Sequence, residues 1–434
     1  MAMKKIGVGL LGFGTVGAGV VDGLARNGDL IASRLGVEVV LRRIGDLDVT
    51  TDRGVKVDPS IMTTDAMEVI ADPSVDIVVE LIGGTGIARK LVMAALEAGK
   101  PVVTANKKLL AEFGGEIFDL AARKGVDIYF GASVGGGIPI IRVLREGLAG
   151  NAIRTIHGIL NGTCNYILTR MEREGLPFDQ VLADAQRLGY AEANPALDID
   201  GFDTAHKAII LAALSYGFRA PLDAISVEGI RGLDGADVKY AAELGYRIKL
   251  VATVARDGGD IEVFVAPTLV PFSHMLASVS DAFNAVMVDS DLADKTLYYG
   301  RGAGRAPTAS TVIGDICDIA RNLAAGEVRH NPVIHPSAEA LHLRPTKDMR
   351  HSFYLRLSVK DEPGSLGRFT GILGKHDVSI ASVVQKESAE DKDGAVAVVT
   401  LTHAAREAYL SAALEEIEAS GVVTAKPVRL RILG

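Results

Sequence analysis

The stretch that most constrains the fold lies at the amino end. Lys4–Leu11 reads as a short buried strand, Gly12-Phe13-Gly14-Thr15-Val16-Gly17 follows without a gap, and Ala18–Ala25 continues at helical period. Glycines at this spacing between a strand and a helix form a dinucleotide-binding turn. They permit the tight turn, the approach of a pyrophosphate and close strand–helix packing. Free N–H groups at the helix start then stabilise phosphate charge. A purely structural glycine turn is the bland alternative, and the strand-before, helix-after context favours the nucleotide.

Further strand-like runs extend this reading. Val37–Ile44 leads into Gly45-Asp46. An acid near the end of the second strand favours a free ribose 2′-hydroxyl and an arginine favours a 2′-phosphate. Asp46 competes here with Arg42 and Arg43, so NAD and NADP both stay open. Val75–Ile82 enters Gly83-Gly84-Thr85-Gly86, a loop suited to close ligand contact, and Pro101–Thr104 precedes Asn106, Lys107 and Lys108. Lysines directly after a parallel strand stand at the carboxyl edge of the sheet, where α/β folds bind ligands; a solvated pair opening a surface helix is the alternative. Val126–Phe130 then meets Gly131–Pro139, whose irregular backbone exposes carbonyls to a ligand or a cation.

From Ile153 the pattern changes to sheet-like segments with few βαβ repeats, as in an α+β domain. A second glycine-rich turn, Tyr299–Ser310 with Gly302 and Gly304, enters a helix through Asp315 to Ala324 that is expected to return to the nucleotide domain. Residues 326–350 read as a linker; its histidines His330, His335 and His342 lack a repeated metal-ligand spacing. Residues 351–434 alternate as βαββαβ, a ferredoxin-like order. The expected division is residues 1–135 (completed by a helix at about 305–325), residues 136–325 for substrate binding and dimerisation, the linker, and 351–434. A net charge of −8 argues against non-specific binding to nucleic acid or anionic membrane. Two cysteines, Cys164 and Cys317, provide no disulfide framework, and the absence of a leader or long apolar span makes the cytoplasm the expected location.

Gly189–Lys207 concentrates four acids and a lysine ahead of the apolar run Ala208–Leu214. An all-round apolar run reads as a buried helix, which sets Asp203 and Lys207 one turn apart on one face. An exposed ion pair is the simpler reading, but charges leading into a buried helix need partners. A polar pocket is expected.

These segments together resemble a monofunctional homoserine dehydrogenase with a carboxyl-terminal ACT domain, over essentially the whole chain. The resemblance rests on Gly12–Gly17, Val79–Gly84, Val103–Lys107, Gly136–Pro139, Gly158–Thr163 with Asn165 and Tyr166, Gly189–Lys207, and Asp361–Gly364 with Ser379, Val384 and Gln385. No kinase segment precedes the first strand, so the chain does not look like the fused aspartate kinase form. The resemblance implies NAD(P)-dependent interconversion of L-homoserine and L-aspartate 4-semialdehyde. It implies Lys207 as general acid/base, Lys107 as a second lysine at the nicotinamide–substrate junction, and Glu192 facing the substrate ammonium. Asp198, Asp203, Gly189 and Tyr190 complete the implied substrate site. The implied coenzyme site comprises Gly12, Phe13, Gly14, Thr15, Val16, Gly17, Gly83, Gly84, Thr104, Lys107 and Gly302. Relatives hold a monovalent cation with a glutamate and backbone carbonyls corresponding to Val134, Gly136 and Ile138. Gly131 stands where that glutamate would be, Asn194 replaces a usual aspartate, and Gly45 a usual basic residue. The ACT resemblance implies a homodimer or homotetramer with threonine as effector.

Two other classes compete. A hydroxyacid dehydrogenase expects a catalytic histidine with an arginine and a carboxylate, a setting that His157 and His206 lack. A catalytically silent sensor would not need the Lys107, Glu192, Asp203 and Lys207 set.

Overall fold

The computed structural model describes residues 3–326, 334, 337, 339–386 and 395–434; His330 and His335 lie outside them. The chain forms two compact units. The first combines residues 1–162, 203–224 and 282–341, and the second residues 163–202, 225–281 and 342–434.

Apolar strands buried on both faces build the first unit, as a parallel sheet demands. Its strands are β1 (Lys4–Leu11), β2 (Val37–Gly45), β3 (Met62–Thr63), β4 (Ile77–Glu80), β5 (Val102–Thr104) and β6 (Ile128–Tyr129), in spatial order β3-β2-β1-β4-β5-β6. Every pairing is parallel. The strand order reverses between β1 and β4, and a crevice at such a switch point receives ligands at the carboxyl ends of the strands. Helices α1 (Thr15–Leu35), α2 (Ala66–Ala71), α3 (Gly86–Glu97) and α4 (Lys107–Lys124) alternate with the strands.

The helix Arg305–Ala325 adds Ala309, Val312, Ile316, Ile319 and Ala320 to the core shared by β1, β4 and α1. Close approach to α1 depends on Gly19, where a Cβ would lie 2.8 Å from the Arg305 carbonyl oxygen and 3.0 Å from Ala309. The unit also holds β7 (Ile153–Ile159), which pairs antiparallel with strand Phe283–Ser290, itself paired with Asp294–Arg301. The glycine-rich turn expected from Tyr299 is thus shorter. Tyr299 and Gly300 belong to a strand, with Tyr299 stacked on Phe283 at 5.0 Å, and the turn begins at Gly302.

In the second unit, Tyr246–Asp257 and Asp260–Pro271 form a long hairpin. The ferredoxin-like module contributes strands Arg350–Lys360, Ile380–Lys386, Ala395–Thr402 and Val428–Ile432, with helices Ser365–Lys375 and Glu407–Ala419 packed on an apolar core around Phe353, Phe369 and Leu410. Together the units give the α/β class expected, a Rossmann-type domain with α+β and ferredoxin-like parts. His342 pairs its short strand with Asp260. No described helix is long and apolar enough to cross a membrane.

Asp315 ties the helix Arg305–Ala325 to the end of the parallel sheet. Its carboxylate, 6% exposed, accepts the Gly131 N–H at 2.8 Å, and burial pushes its pKa up to about 6. A carboxyl raised above its unfolded value contributes stability in acid that is lost as pH rises through the folded value. Asp315→Asn should cancel that dependence. The unfolding free energy of wild type relative to the variant should fall by about 3 kcal/mol from about pH 3.5 to about pH 7, read from urea titrations. A difference independent of pH would show that the carboxyl is not desolvated.

Candidate active site

The glycine turn is built as its spacing demands. Gly12 takes a left-handed φ of 95° and its N–H donates to the Gly45 carbonyl at 2.9 Å. A Cβ at Gly17 would sit 2.2 Å from the Gly12 carbonyl oxygen, so α1 could not start against the turn with any side chain there. At Gly14, which caps α1, a Cβ would meet nothing within 4 Å, leaving open space before the helix N-terminus. Such a terminus attracts phosphate.

The Asp46 carboxylate receives the Phe13 N–H at 2.5 Å and the Asp48 N–H at 2.9 Å, beside the glycine turn. Arg43 is turned to Asp72 at 2.9 Å. Arg42 and Arg43 lie within β2 rather than at its carboxyl end. Gly83 and Gly84 follow β4 with φ of 82° and 68°, both exposed. Thr104 is fully buried and its hydroxyl donates to Glu80.

At the carboxyl edge of β5 the charged residues converge. Asn106 caps α4, its side-chain oxygen accepting the Leu109 N–H at 3.1 Å, so Lys107 occupies the first turn. Lys107 Nζ lies 2.8 Å from Asp203 Oδ1. Lys207, one turn along the helix Phe202–Tyr216, donates to Asp203 Oδ2 and to the Leu160 carbonyl, both at 2.6 Å. Asn161 Nδ2 donates to the same Oδ2 at 2.9 Å. One carboxylate therefore receives two ammonium groups and an amide. Burial alone would push the Asp203 carboxyl up; the Lys207 and Lys107 ammoniums outweigh it and hold the group well below the carboxylate range. Asp203 is 3% and Lys207 7% exposed, while the Lys107 side chain is 36% exposed. This is a buried pair with one arm open, not a surface ion pair. Lys108 instead faces Glu112 on the exposed flank of α4.

Asn161 and the Leu160 carbonyl were not singled out by sequence reasoning. Their only signal is position, at the junction between β7 and the next helix.

Glu192, Asp198, Gly189 and Tyr190 belong to the second unit. Glu192 is exposed, and its carbonyl accepts the Gln186 amide at 3.1 Å. Gly189 turns the chain with φ of 78°. Tyr190 stacks on Tyr166 at 4.4 Å, and its carbonyl accepts the Thr163 hydroxyl at 2.7 Å. The Asp198 carbonyl accepts the Cys164 thiol at 3.2 Å. Asp200 pairs with Arg231 at 2.7 Å on the surface.

A family model described as "Homoserine dehydrogenase, NAD binding domain" matches residues 12–131, and "Homoserine dehydrogenase" matches 139–317. "ACT domain" matches 353–421. The homoserine dehydrogenase of Neisseria gonorrhoeae is 46% identical over 432 residues, 99% of this chain and 98% of that protein. The chain belongs to the homoserine dehydrogenase family. A crystal structure of a homoserine dehydrogenase from Thiobacillus denitrificans, 44% identical, covers 100% of this chain and 99% of its own, with a TM-score of 0.93. A hyperthermophilic archaeal homoserine dehydrogenase in complex with NADPH, 28% identical, matches 73% of this chain and 98% of its own, with a TM-score of 0.62. The chain is thus an NAD(P)-dependent oxidoreductase that interconverts L-homoserine and L-aspartate 4-semialdehyde in amino-acid biosynthesis.

The cation site of the family can be tested against the loop Gly131–Ile138. Hard cations take oxygen ligands, preferably charged. A Cβ at Gly131 would lie 2.9 Å from Asp315 Oδ1, so the Asp315 carboxylate fills the space of the missing side chain. That carboxylate accepts the Gly131 N–H, the Gly136 carbonyl accepts the Thr311 hydroxyl at 2.7 Å, and the Ile138 carbonyl accepts the Ile140 N–H at 2.8 Å. The carboxylate and two of the three carbonyls therefore already accept hydrogen bonds from the protein.

Asp203 is the element whose loss the site should tolerate least. Removing one partner of a buried ion pair leaves uncompensated charge, at a cost of about 3–5 kcal/mol. Asp203→Asn should lower unfolding free energy by that amount in urea at neutral pH. A loss under about 1 kcal/mol, the range of exposed pairs, would mean that the lysines are solvated.

Proposed function

We propose that Lys207 moves the proton and Lys107 braces the reacting centre, with Asp203 holding both ammonium groups. The observation that carries this reading is the single buried carboxylate bridging two lysines at the carboxyl edge of the sheet. Oxidation of homoserine breaks a C–H bond and an O–H bond. The bound nicotinamide supplies hydride acceptance, and a positioned side chain takes the hydroxyl proton. Lys207 suits the second task as the neutral amine, becoming the ammonium that returns the proton in the reverse reaction, and the Leu160 carbonyl and Asp203 fix its Nζ within a desolvated site. Glu192 is assigned to the substrate ammonium as a charge-assisted contact. Asp198, Gly189 and Tyr190 are likewise assigned to substrate binding.

The coenzyme contacts are assigned to Gly12–Gly17, Gly83, Gly84, Lys107 and Gly302, with Thr104 acting from beneath the surface. Asp46 at the end of β2 and the diversion of Arg43 to Asp72 support NAD over NADP. The loop at Val134, Gly136 and Ile138 is held by Thr311 and Asp315 rather than by a cation. The division at residues 135, 325 and 350 is kept as a domain assignment, with residues 136–325 carrying dimerisation. The exposed edge strand Asp294–Arg301 supports pairing between copies in a homodimer or homotetramer. Threonine is the proposed effector at the ACT domain and the cytoplasm the proposed location.

One assay matrix tests these assignments: L-homoserine with each coenzyme, with and without threonine, in sodium, potassium and tetramethylammonium buffers. The expected result is higher kcat/KM with NAD, inhibition by threonine, and no dependence on the cation. Preference for NADP, indifference to threonine, or loss of activity in tetramethylammonium would each sink the corresponding assignment. Lys207→Ala should lower kcat by about 10²–10⁴-fold, the usual worth of a positioned acid or base, with little change in coenzyme Kd. Equal losses in both would remove it from proton transfer.

A further inference from the structure

Glu80 ends β4 fully buried, and among the described residues no cation is paired with its carboxylate. Its charge is met by hydrogen bonds instead. The Ile82 and Gly83 N–H groups donate to Oε1 at 2.8 and 3.0 Å, and the Thr104 hydroxyl donates to Oε2 at 2.6 Å. An ionised carboxylate only accepts, so the Thr104 proton must point at Glu80. Thr104 Oγ1 is then left as an acceptor, and it takes the Asn106 N–H at 3.0 Å.

Asn106 reaches in two directions from there. Its Oδ1 caps α4 through the Leu109 N–H, and its Nδ2 donates to the Gly84 carbonyl at 2.7 Å. The circuit closes on the loop where it began. It joins the ends of β4 and β5, the exposed glycines 83 and 84, and the first residue of α4, which is Lys107.

A buried carboxylate is costly unless fully hydrogen-bonded. A strand end needs no such group for packing. This one has donors from two consecutive backbone amides, which tie down the start of a loop whose Gly83 and Gly84 take left-handed φ. We propose that Glu80 is a positioning residue that acts through Thr104 and Asn106. It sets the Gly83–Gly84 loop and the Lys107–Asp203 contact as one rigid piece, so that coenzyme seating and the placement of Lys107 are coupled. The inference rests on the reading of Lys107 as a residue at the reacting centre.

Thr104 is the link to test, because Thr104→Val keeps the shape and removes only the hydroxyl. Misplacing a catalytic group by about 1 Å costs up to about 100-fold in rate. Thr104→Val should therefore lower kcat by at least about tenfold, and Thr104→Ser should recover most of that loss. A double-mutant cycle with Lys107→Ala separates positioning from general weakening. If Thr104 acts through Lys107, its substitution costs about twofold or less once Lys107 is gone. Equal fold-losses in both backgrounds, or an unchanged kcat in Thr104→Val, would overturn the proposal.

Should Lys107→Ala turn over too slowly for the cycle, the pH profile of kcat decides. Thr104→Val should shift a limb that Thr104→Ser leaves in place, and matching profiles at lower amplitude would count as purely structural. The two readings fail differently. Lys107→Ala with normal kcat removes Lys107 from the reacting centre, whereas a large Lys107 effect with a silent Thr104→Val removes only the coupling.

Discussion

Two ammonium groups held by one buried carboxylate are the interaction on which the site depends. Desolvating a lysine or a carboxylate alone costs several kcal/mol, so the buried Asp203 and Lys207 are stable in their places only together, with the partly exposed Lys107 as a second counter-charge. Their arrangement constrains the surrounding elements in turn. The helix Phe202–Tyr216 must begin where Asp203 can face the end of β5, and Asn106 must stop that strand and start α4 so that Lys107 arrives at Oδ1. Asn161 and the Leu160 carbonyl complete the seat from β7.

The parallel sheet performs the complementary task of presenting rigid strand ends. Gly12 follows β1, Glu80 closes β4 and Thr104 closes β5, so three neighbouring strands deliver the glycine turn, the loop and the lysine to one edge. Catalytic geometry built on strand ends is more exact than geometry built on loops alone. The hydrogen bonds behind that edge are nearly all local in sequence or between adjacent strands, which suits a surface that must hold its shape between substrates.

What was legible in the sequence was what is local. The glycine turn, the strand before it and the helix after it follow from spacing within a few residues. The Asp203–Lys207 spacing likewise placed both on one helical face. The meeting of Lys107 with Asp203 was not legible, because it depends on two distant segments packing together. Glu80 reads only as the polar end of an apolar strand; its burial follows from the strands on either side. Asp315 was read as one residue of a helix, and nothing in its own neighbourhood announced that it would fill the space beside Gly131. The strand Asp294–Arg301 was hidden by its ending, since Gly300 and Gly302 suggest a turn while the preceding alternation belongs to a hairpin.

The last strand, Val428–Ile432, lies between two others. It runs parallel to Asp260–Pro271 and antiparallel to Arg350–Lys360. Arg431, 2% exposed, bridges Glu228 and Glu407 from this position. The sheet of the second unit is therefore completed by a strand far along the chain from the hairpin it joins. Until Val428–Ile432 arrives, Thr268 and Leu269 of that hairpin lack their strand partner, an exposed edge that long-range pairing prolongs. The ferredoxin-like module is thus not an appendage that could be trimmed away to leave a finished core. Its strand pairs on both sides, which makes it the closing stitch of the sheet to which it belongs.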